Sequence, residues 1–300
     1  MEPAVSPPEP SGLPPAIGAY LIWGFLPVYL LLVKSVPPFE FVGWRIIWTV
    51  PICLVIVAAR RQAADLRAAL ADRRSLMVLT GSALLIGTNW FVYVWAIQRG
   101  EVFAASLGYY INPLLNVLLG TLVLGERLTR GQWIAVALAA AGVALLLVGA
   151  LTTLWISLTL ATTFALYGLL RKQVAAGSLP GLTIESIILL PIAVVIVAWY
   201  AATPAGPSFG QDLALSLSII LGGVVTAVPL LLFAVAARRM DYSLLGFIQY
   251  LAPTIVFLLG LTVFEQPLKP VQLACFVLIW TALAVFAWDM FARRRAASAG

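Results

Sequence analysis

Long apolar runs, separated by short polar segments, follow one another along almost the whole chain. Ten runs lie near residues 16–33, 41–59, 75–97, 102–124, 131–149, 151–170, 182–201, 213–236, 242–264 and 270–291. Each run is long enough for a transmembrane helix, which needs about 20 predominantly apolar residues. Strands of a membrane β-barrel would instead alternate apolar and polar residues over about 10 positions. The pattern therefore predicts an all-α integral membrane protein with ten transmembrane helices.

Composition supports this class. Of the 300 residues, 62% are hydrophobic and 10% are charged, whereas a soluble domain carries about 25% charged residues. Residues 1–15 are rich in proline and are expected to be a disordered tail, and 292–300 are expected to be a basic C-terminal tail. The first tail contains no basic residue and no short apolar core, so a cleaved signal peptide is not expected.

Basic residues are distributed unevenly between alternate loops. If the N-terminus is cytoplasmic, the cytoplasmic segments hold Arg60, Arg61, Arg67, Arg73, Arg74, Arg127, Arg130, Arg171, Lys172, Arg238, Arg239, Arg293, Arg294 and Arg295. The external loops then hold Lys34, Arg99 and Lys269. Because cytoplasmic loops carry an excess of Lys and Arg, both termini are predicted to be cytoplasmic. The net charge of +6 reflects this bias, and no nucleic-acid-binding surface is expected.

Residue counts exclude several kinds of chemistry. The chain has no histidine, which removes His-ligated metal sites, Ser–His and Cys–His nucleophile pairs and His proton relays. Cys53 and Cys275 both lie in apolar runs and are interpreted as inert buried thiols. Neither a phosphate-binding loop nor a GxGxxG motif occurs. The sequence therefore predicts no metal site, no cofactor and no ATP hydrolysis.

The chain repeats itself at an offset of about 140 residues. Residues 45–51 (RIIWTVP) align with 185–191 (ESIILLP), and matching pairs are Arg99 with Arg239, Glu101 with Asp241, Tyr110 with Tyr250, Pro113 with Pro253 and Gly120 with Gly260. The repeat predicts two five-helix units, 16–149 and 151–291. Because five is odd, the second unit enters the membrane from the opposite side. Inverted repeats are typical of secondary transporters, which bind substrate near the midplane between the two halves.

The fourth helix of each unit carries an unusual set of polar residues. Stepping by three and four residues gives Ser106, Tyr109, Pro113 and Asn116 in the first unit, and Gln249 and Pro253 repeat this stripe. Both prolines are predicted to break their helices, because proline lacks an N–H and frees a carbonyl one turn earlier. The two stripes are interpreted as opposite walls of a central cavity. In the alternative interpretation, Asn112, Asn116 and Gln249 only hydrogen-bond neighbouring helices.

Several long motifs resemble those of the RarD-type branch of the EamA family, in the drug/metabolite transporter superfamily. They are ASLGYYINPLLNVLLGTLVLGERLTRGQWIAVALAAAGV from residue 105, GTNWFVYVWAI at 87–97, YGLLRK at 167–172 and LLGFIQYLAPTIVFLL at 244–259. The resemblance extends from about residue 16 to 291 and implies ten helices in two inverted repeats. It also implies solute movement across the bacterial cytoplasmic membrane, usually export. One departure is FEQPLKP at 264–270, where the first unit has LGERLTR, so equal roles for Glu126 and Glu265 do not follow.

The resemblance places helices one, three, four, six and nine around the central cavity. Aromatic residues on these helices combine an apolar body with a hydrogen-bonding group, and the candidates for the lining are Tyr20, Trp23, Trp90, Tyr93, Tyr109, Tyr110, Tyr167 and Tyr250. Asn89 and Asn112 are further polar candidates. The alternative for each aromatic residue is an interface belt or plain helix packing.

Two charged residues lie inside predicted helices. Arg45 falls about four residues into helix two from the outside, and Glu185 about four residues into helix seven from the inside, so no direct pairing between them is expected. Intramembrane charges are functional candidates. Arg45 is interpreted as an outer-gate or anion contact, and Glu185 as an inner-gate or proton-linked acid. Snorkelling of Arg45 to the headgroups is the alternative.

The function predicted from these patterns is secondary transport. The substrates are expected to be small metabolites or drug-like amphipathic solutes, moved across the lipid bilayer by alternating access, with a passive channel or a membrane-embedded enzyme as the alternative. Proton coupling is left open beside uniport and exchange. Helices five and ten are rich in small residues, as in AVALAAAGVALLL at 135–147, and are assigned to scaffold or homodimer contact.

Overall fold

The computed structural model describes residues 11–99, 101–147, 154–263, 265 and 270–298. Twelve α-helices lie within these ranges: α1 Leu13–Leu30, α2 Pro38–Ala59, α3 Ala63–Ala71, α4 Arg73–Gln98, α5 Val102–Leu122, α6 Arg130–Leu147, α7 Leu154–Gln173, α8 Ser178–Ala201, α9 Leu213–Arg239, α10 Tyr242–Gln249, α11 Leu251–Thr262 and α12 Pro270–Ser298. A short 3-10 turn, Leu31–Val33, extends α1. No strand occurs in this described part, so the prediction of an all-α fold is confirmed.

Nine segments among the described residues are long and apolar enough to cross a membrane. They are α1 with its 3-10 turn, α2, most of α4, α6, α7, α8, α9, α10 together with α11, and most of α12. The helix α5, which carries two Asn, two Tyr, a Ser and a Pro, is not among them. The chain is a multi-pass membrane protein, and a tenth crossing by α5 stays a prediction.

The helix ends differ from the predicted ones at both tails and in one loop. The first helix begins at Leu13, with prolines in its first turn where their missing N–H groups cost nothing. At the other end, α12 continues to Ser298, through most of the predicted basic tail. The helix α3 was not predicted and lies in the loop at 60–74, where Ala69 is buried. The predicted boundary at 149–151 and residues 1–10 lie outside the described residues.

Several helices of the first half pack directly against helices of the second half. The helix α2 lies against α8, α5 against α10, and α6 against α12. In addition, α1 packs on α9 and α11, while α7 packs on α4 and α5. Small residues permit the close α6–α12 contact, where a methyl group on Gly142 would lie 3.1 Å from the Cys275 carbonyl oxygen. The helices α6 and α12 thus pack against each other within one chain. A homodimer through these helices stays a prediction.

The prolines of the polar stripes behave differently from each other. The predicted break at Pro113 is wrong, because α5 is continuous from Val102 to Leu122 with this proline inside it. One missing hydrogen bond is not enough to end a helix whose flanking turns are otherwise complete. In the second half the helix is interrupted at Tyr250, between α10 and α11, three residues before Pro253. The backbone N–H of Tyr250 there donates to the Phe247 carbonyl at 3.2 Å, in a tighter turn.

Candidate functional site

A cavity of about 440 Å³ lies between the helices of the two halves. This volume falls within the range of about 300–1,000 Å³ that is usual for small-molecule sites. Among the residues singled out as cavity, gate or coupling candidates, those that line it are Tyr20, Trp23, Arg45, Asn89, Trp90, Tyr93, Ser106, Tyr109, Tyr110, Gln249 and Pro253. The lining extends to Lys34 and Val36, in the connection between α1 and α2. The cavity therefore extends toward the end of the bundle where that connection lies.

The guanidinium of Arg45 is turned into this cavity. Its Nε donates a hydrogen bond to Oγ1 of Thr226, at 2.8 Å, and its central carbon lies 5.4 Å from the Trp90 ring centroid and 5.6 Å from that of Phe41. No carboxylate of the described residues lies within 4.0 Å of it. Arg45 therefore carries its charge beside aromatic faces, which attract cations, and has no acidic partner among the described residues. Sequence reasoning missed Phe41 and Thr226, since neither stands out in an apolar run.

Two amide side chains reach the cavity while also joining helices. Asn89 on α4 donates to the Leu160 carbonyl at 2.8 Å and to Oγ1 of Thr163 at 3.0 Å, both on α7. Gln249 on α10 accepts a hydrogen bond at 2.9 Å from Nδ2 of Asn116. Such bonds fix the orientation of each amide, because a buried polar group is costly without a partner.

Other members of the predicted stripes lie outside the lining. Asn112 and Asn116 are buried, and Asn112 donates to the Ala161 carbonyl of α7 at 2.7 Å. The Pro113 carbonyl faces Gly246, where an added methyl carbon would lie 2.8 Å from it. These three residues join α5 to α7 and α10. Tyr250 also lies outside, with its hydroxyl 3.3 Å from the carbonyl oxygen of Tyr110, to which it donates.

A buried ion pair lies beyond the cavity. Glu185 on α8 is 2% exposed and accepts a hydrogen bond from Oγ of Ser82. The guanidinium of Arg171 is fully buried, with its Nη1 3.6 Å from Oε1 of Glu185 and its Nη2 donating to the Ser178 carbonyl at 2.7 Å. Sequence analysis had assigned Arg171 to a cytoplasmic segment, as a loop charge, and so missed the pair. Arg171, in the last turn of α7, instead contacts the start of α8 through the Ser178 carbonyl and is not exposed to solvent.

Aromatic rings connect the cavity lining to this ion pair. Tyr167, another predicted lining residue, is fully buried and lies outside the main cavity. It shares a void of about 10 Å³ with Glu185 and Trp90. Its ring stacks on Phe233, with centroids 6.0 Å apart, and Phe233 contacts Trp23 of the cavity lining at 5.9 Å. Tightly packed rings therefore occupy the space between the cavity and Glu185.

At the end of the bundle near Arg171, two further basic side chains hydrogen-bond to backbone carbonyls at or just beyond the ends of neighbouring helices. Nζ of Lys172 donates to the carbonyls of Ala237 and Met240, at 3.1 and 2.6 Å. Arg238 donates to the carbonyls of Val174 and Ala176, both at 2.7 Å. Cations are favourable beside the free carbonyls at helix C-termini, and here they join the ends of α7 and α9.

The carboxylate of Glu126 closes the same end of the bundle in another way. It accepts the backbone N–H groups of Tyr242 at 2.6 Å and of Ser243 at 2.9 Å, across 116 and 117 residues of sequence. These N–H groups begin α10 and have no partner within the helix. Glu265, its counterpart by sequence, is exposed and has a φ of 48°. The inequality that the sequence indicated between the two glutamates is therefore visible in their surroundings.

At the opposite end, Glu40 ties a loop to the first turn of α2. Its side chain is 1% exposed and accepts hydrogen bonds from the backbone N and Oγ of Ser208, at 2.6 and 2.7 Å, and from Nε1 of Trp44 at 3.0 Å. Sequence reasoning passed over Glu40 because it precedes the predicted start of helix two. The signal available was a lone acid among apolar residues.

Comparison with known proteins gives the chain its family. A profile described as the EamA-like transporter family matches residues 10–148. An uncharacterized transporter of Pseudomonas aeruginosa is 42% identical over 271 residues, which are 90% of this chain and 91% of that protein. Protein RarD of Escherichia coli is 39% identical over 288 residues, 93% of this chain and 95% of its own length.

A solved crystal structure has the same fold. It superposes with a TM-score of 0.71 at 20% sequence identity and covers 91% of this chain and 96% of the other. The relatives confirm the resemblance seen in the sequence, and their names as transporters confirm the prediction that the chain is not an enzyme. The chain therefore belongs to the EamA-like transporter family, as a relative of the RarD proteins.

Proposed function

We propose that this protein is a secondary transporter that exports small amphipathic solutes across the bacterial cytoplasmic membrane by alternating access. The observation that carries the proposal is the cavity of about 440 Å³, which receives side chains from α1, α2, α4 and α5 of the first half and from α7, α9, α10 and α11 of the second. A site between two halves is where carriers of this kind bind their substrates.

The proposed architecture is ten transmembrane helices in two inverted five-helix repeats. Helix packing supports it, because the pattern stays the same when the halves are exchanged. The pairs α2–α8, α6–α12 and α5–α10 each join a helix to its own counterpart, and the contact of α1 with α9 matches that of α7 with α4. The Tyr250–Tyr110 hydrogen bond joins two residues 140 positions apart, which is the offset of the sequence repeat.

The proposed orientation has both termini in the cytoplasm. The connection containing Lys34 is then external and the end containing Arg171 is internal, so the cavity reaches toward the outside. Closure of the other end by Lys172 and Arg238 supports an outward-facing state of the transport cycle. In the inward-facing state the aromatic rings between the cavity and Glu185 would have to separate.

The energy source is proposed to be a proton gradient, with Glu185 as the residue that binds the proton. Its support is geometric: Glu185 is buried beyond the cavity, with one basic partner, Arg171. Uniport or exchange, with Glu185 as a gate, is the alternative that the coupling measurement below distinguishes.

The proposal is tested by flux in proteoliposomes. A thermal-shift screen of metabolites and antibiotics on the purified protein selects solutes that stabilise the folded state. Each selected solute is then followed in radiolabelled form. A carrier gives saturable uptake and counterflow, in which unlabelled solute inside drives accumulation of label. Flux that rises linearly with concentration and shows no counterflow would indicate a passive channel and would contradict the proposal.

A further inference from the structure

The charged residues of the cavity lining are all of one sign. Among its lining residues, Lys34 and Arg45 are basic, and none is Asp or Glu. In a membrane-embedded site the surroundings are poor in water, so such charges act at longer range and more strongly than at a protein surface. The cavity therefore attracts anions and repels cations.

Arg45 has unused hydrogen-bonding capacity. A guanidinium carries five N–H donors in a planar fork, and here the Nε donor is used by Thr226. The two terminal nitrogens make no hydrogen bond to the described residues. A charged side chain within a membrane helix normally has an opposite charge or a carbonyl nearby, whereas the terminal nitrogens of Arg45 form no salt bridge and no hydrogen bond to a carbonyl in the part of the chain that the structure describes. Its fork matches a carboxylate, which accepts two parallel N–H bonds.

Aromatic surfaces surround this charge. Trp90 and Phe41 flank the guanidinium, and Tyr93 and Tyr109 lie edge to face beside the cavity, with centroids 5.9 Å apart. Flat apolar groups fit between such rings, where stacked or edge-to-face contacts are favourable. An ammonium group, by contrast, would find no carboxylate in the lining.

From these observations we infer that the cavity binds organic monoanions with a flat apolar body, and that Arg45 holds their carboxylate. The inference rests on the proposed function, because it assigns a substrate class to the same cavity. It favours simple aromatic acids over zwitterions, neutral solutes and cations of the same size.

Binding to the purified full-length protein tests the inference. The probes are 3-phenylpropionate, its neutral amide, the amine 3-phenylpropylamine, and phenylalanine as the zwitterion. Quenching of tryptophan fluorescence reports occupancy, since Trp23 and Trp90 line the cavity. The carboxylate is expected to bind about ten-fold or more tightly than the amide, as for a charge-assisted hydrogen bond, and the amine is expected to bind most weakly.

Variants of Arg45 locate the selectivity. Arg45→Gln is expected to abolish the preference for the carboxylate over the amide, and Arg45→Lys to retain part of it. Arg99→Gln, which removes a charge stacked on Trp95 outside the cavity, is the matched control and should keep the parental preference. Melting temperatures without ligand establish that each variant is folded.

Several outcomes would overturn the inference. They are equal binding of the amide or amine by the parent, a carboxylate preference that survives in Arg45→Gln, or no binding of 3-phenylpropionate at its solubility limit. Flux measurements in proteoliposomes distinguish a failure of the anion-binding inference from a failure of the proposed transport function. Anion-selective binding without saturable flux would support the anion site and contradict secondary transport. Saturable flux of neutral or cationic solutes alone would support transport and contradict the anion site.

Discussion

Nη1 of Arg171 lies 3.6 Å from Oε1 of Glu185, and both side chains are withdrawn from solvent. A buried ion pair gains little over two apolar side chains, but removal of one partner leaves a charge without compensation. Each of the two side chains therefore needs the other to compensate its buried charge.

Breaking this pair should destabilise the protein strongly. Glu185→Gln and Arg171→Gln are each expected to lower the free energy of unfolding by roughly 3 kcal/mol, because each leaves an unpaired buried group. The double variant should be more stable than the sum of the single effects predicts. Thermal unfolding in detergent measures all three.

The second ion pair of the described residues provides a matched control. Asp289 and Arg293 are 2.9 Å apart, with side chains 21% and 50% exposed. Asp289→Asn should cost less than about 1 kcal/mol, since Arg293 is half exposed and water screens its charge. Additive losses in the Arg171/Glu185 double variant would show that those two residues do not interact.

Coupling is tested with the same glutamate. In proteoliposomes, Glu185→Gln is expected to lose the stimulation of transport by a pH gradient while keeping exchange of solute across the membrane. The reason is that glutamine neither binds nor releases a proton at this place. Ser82→Ala, which removes only the hydroxyl that donates to Glu185, should keep the response. A parental response in the Gln variant would remove Glu185 as the proton site.

Glu126 is expected to matter for stability more than Glu265. A neutral glutamine at 126 has one acceptor oxygen for the two N–H groups that the carboxylate now accepts. Glu126→Gln should therefore lower stability by about 1 kcal/mol, the usual effect of losing a helix cap. The matched change Glu265→Gln, at an exposed position, should have little effect on the melting temperature. Equal melting temperatures for the two variants would contradict the capping role.

The two prolines should also differ in their effect on transport. Pro253→Ala restores an N–H near the interruption at Tyr250 and should slow transport on the order of ten-fold, if this interruption absorbs a conformational change. Pro113→Ala lies in the continuous α5 and should change the rate by less than about two-fold. Initial rates, corrected for the amount of protein in the membrane, decide between them. If both variants transport at the parental rate, both prolines contribute only to packing.

Orientation can be measured by cysteine labelling in intact cells. Gln211→Cys, in the exposed loop before α9, should react with a membrane-impermeant maleimide added outside. Ala68→Cys, on the exposed side of α3, should react only after the cells are opened. Ser208 is less suitable because it bonds to Glu40, and the native Cys53 and Cys275 are buried. The reverse pattern of labelling would invert the proposed topology.

Apolar run length was sufficient to predict the long helices of this protein but not α3, and several aromatic and polar candidates on α1, α4 and α5 line the cavity. Those features depend on local sequence. That Asn112 faces α7 and lies outside the cavity lining depends instead on how α5 is rotated against its neighbours. That rotation is set by contacts such as Gly108 on Leu160, which no single helix contains.

Long-range polar contacts were the least predictable part. Arg171 looked like a loop charge because two basic residues follow one another at the end of a helix, which is the usual mark of a cytoplasmic boundary. Its burial is possible because Gly181 has no side chain where the guanidinium lies. Neither residue indicates the other in the sequence, since their proximity arises only when α7 and α8 fold together.

The cap of α10 also has a consequence for the order of biosynthesis. Glu126 precedes Tyr242 by 116 residues, and at about 5–20 residues per second the ribosome needs on the order of ten seconds to cover that distance. During this interval the carboxylate cannot accept the N–H groups that begin α10, because those residues have not yet been made. Completion of the capping contact thus marks the moment when the newly made halves come together, and a first half released on its own would never reach it.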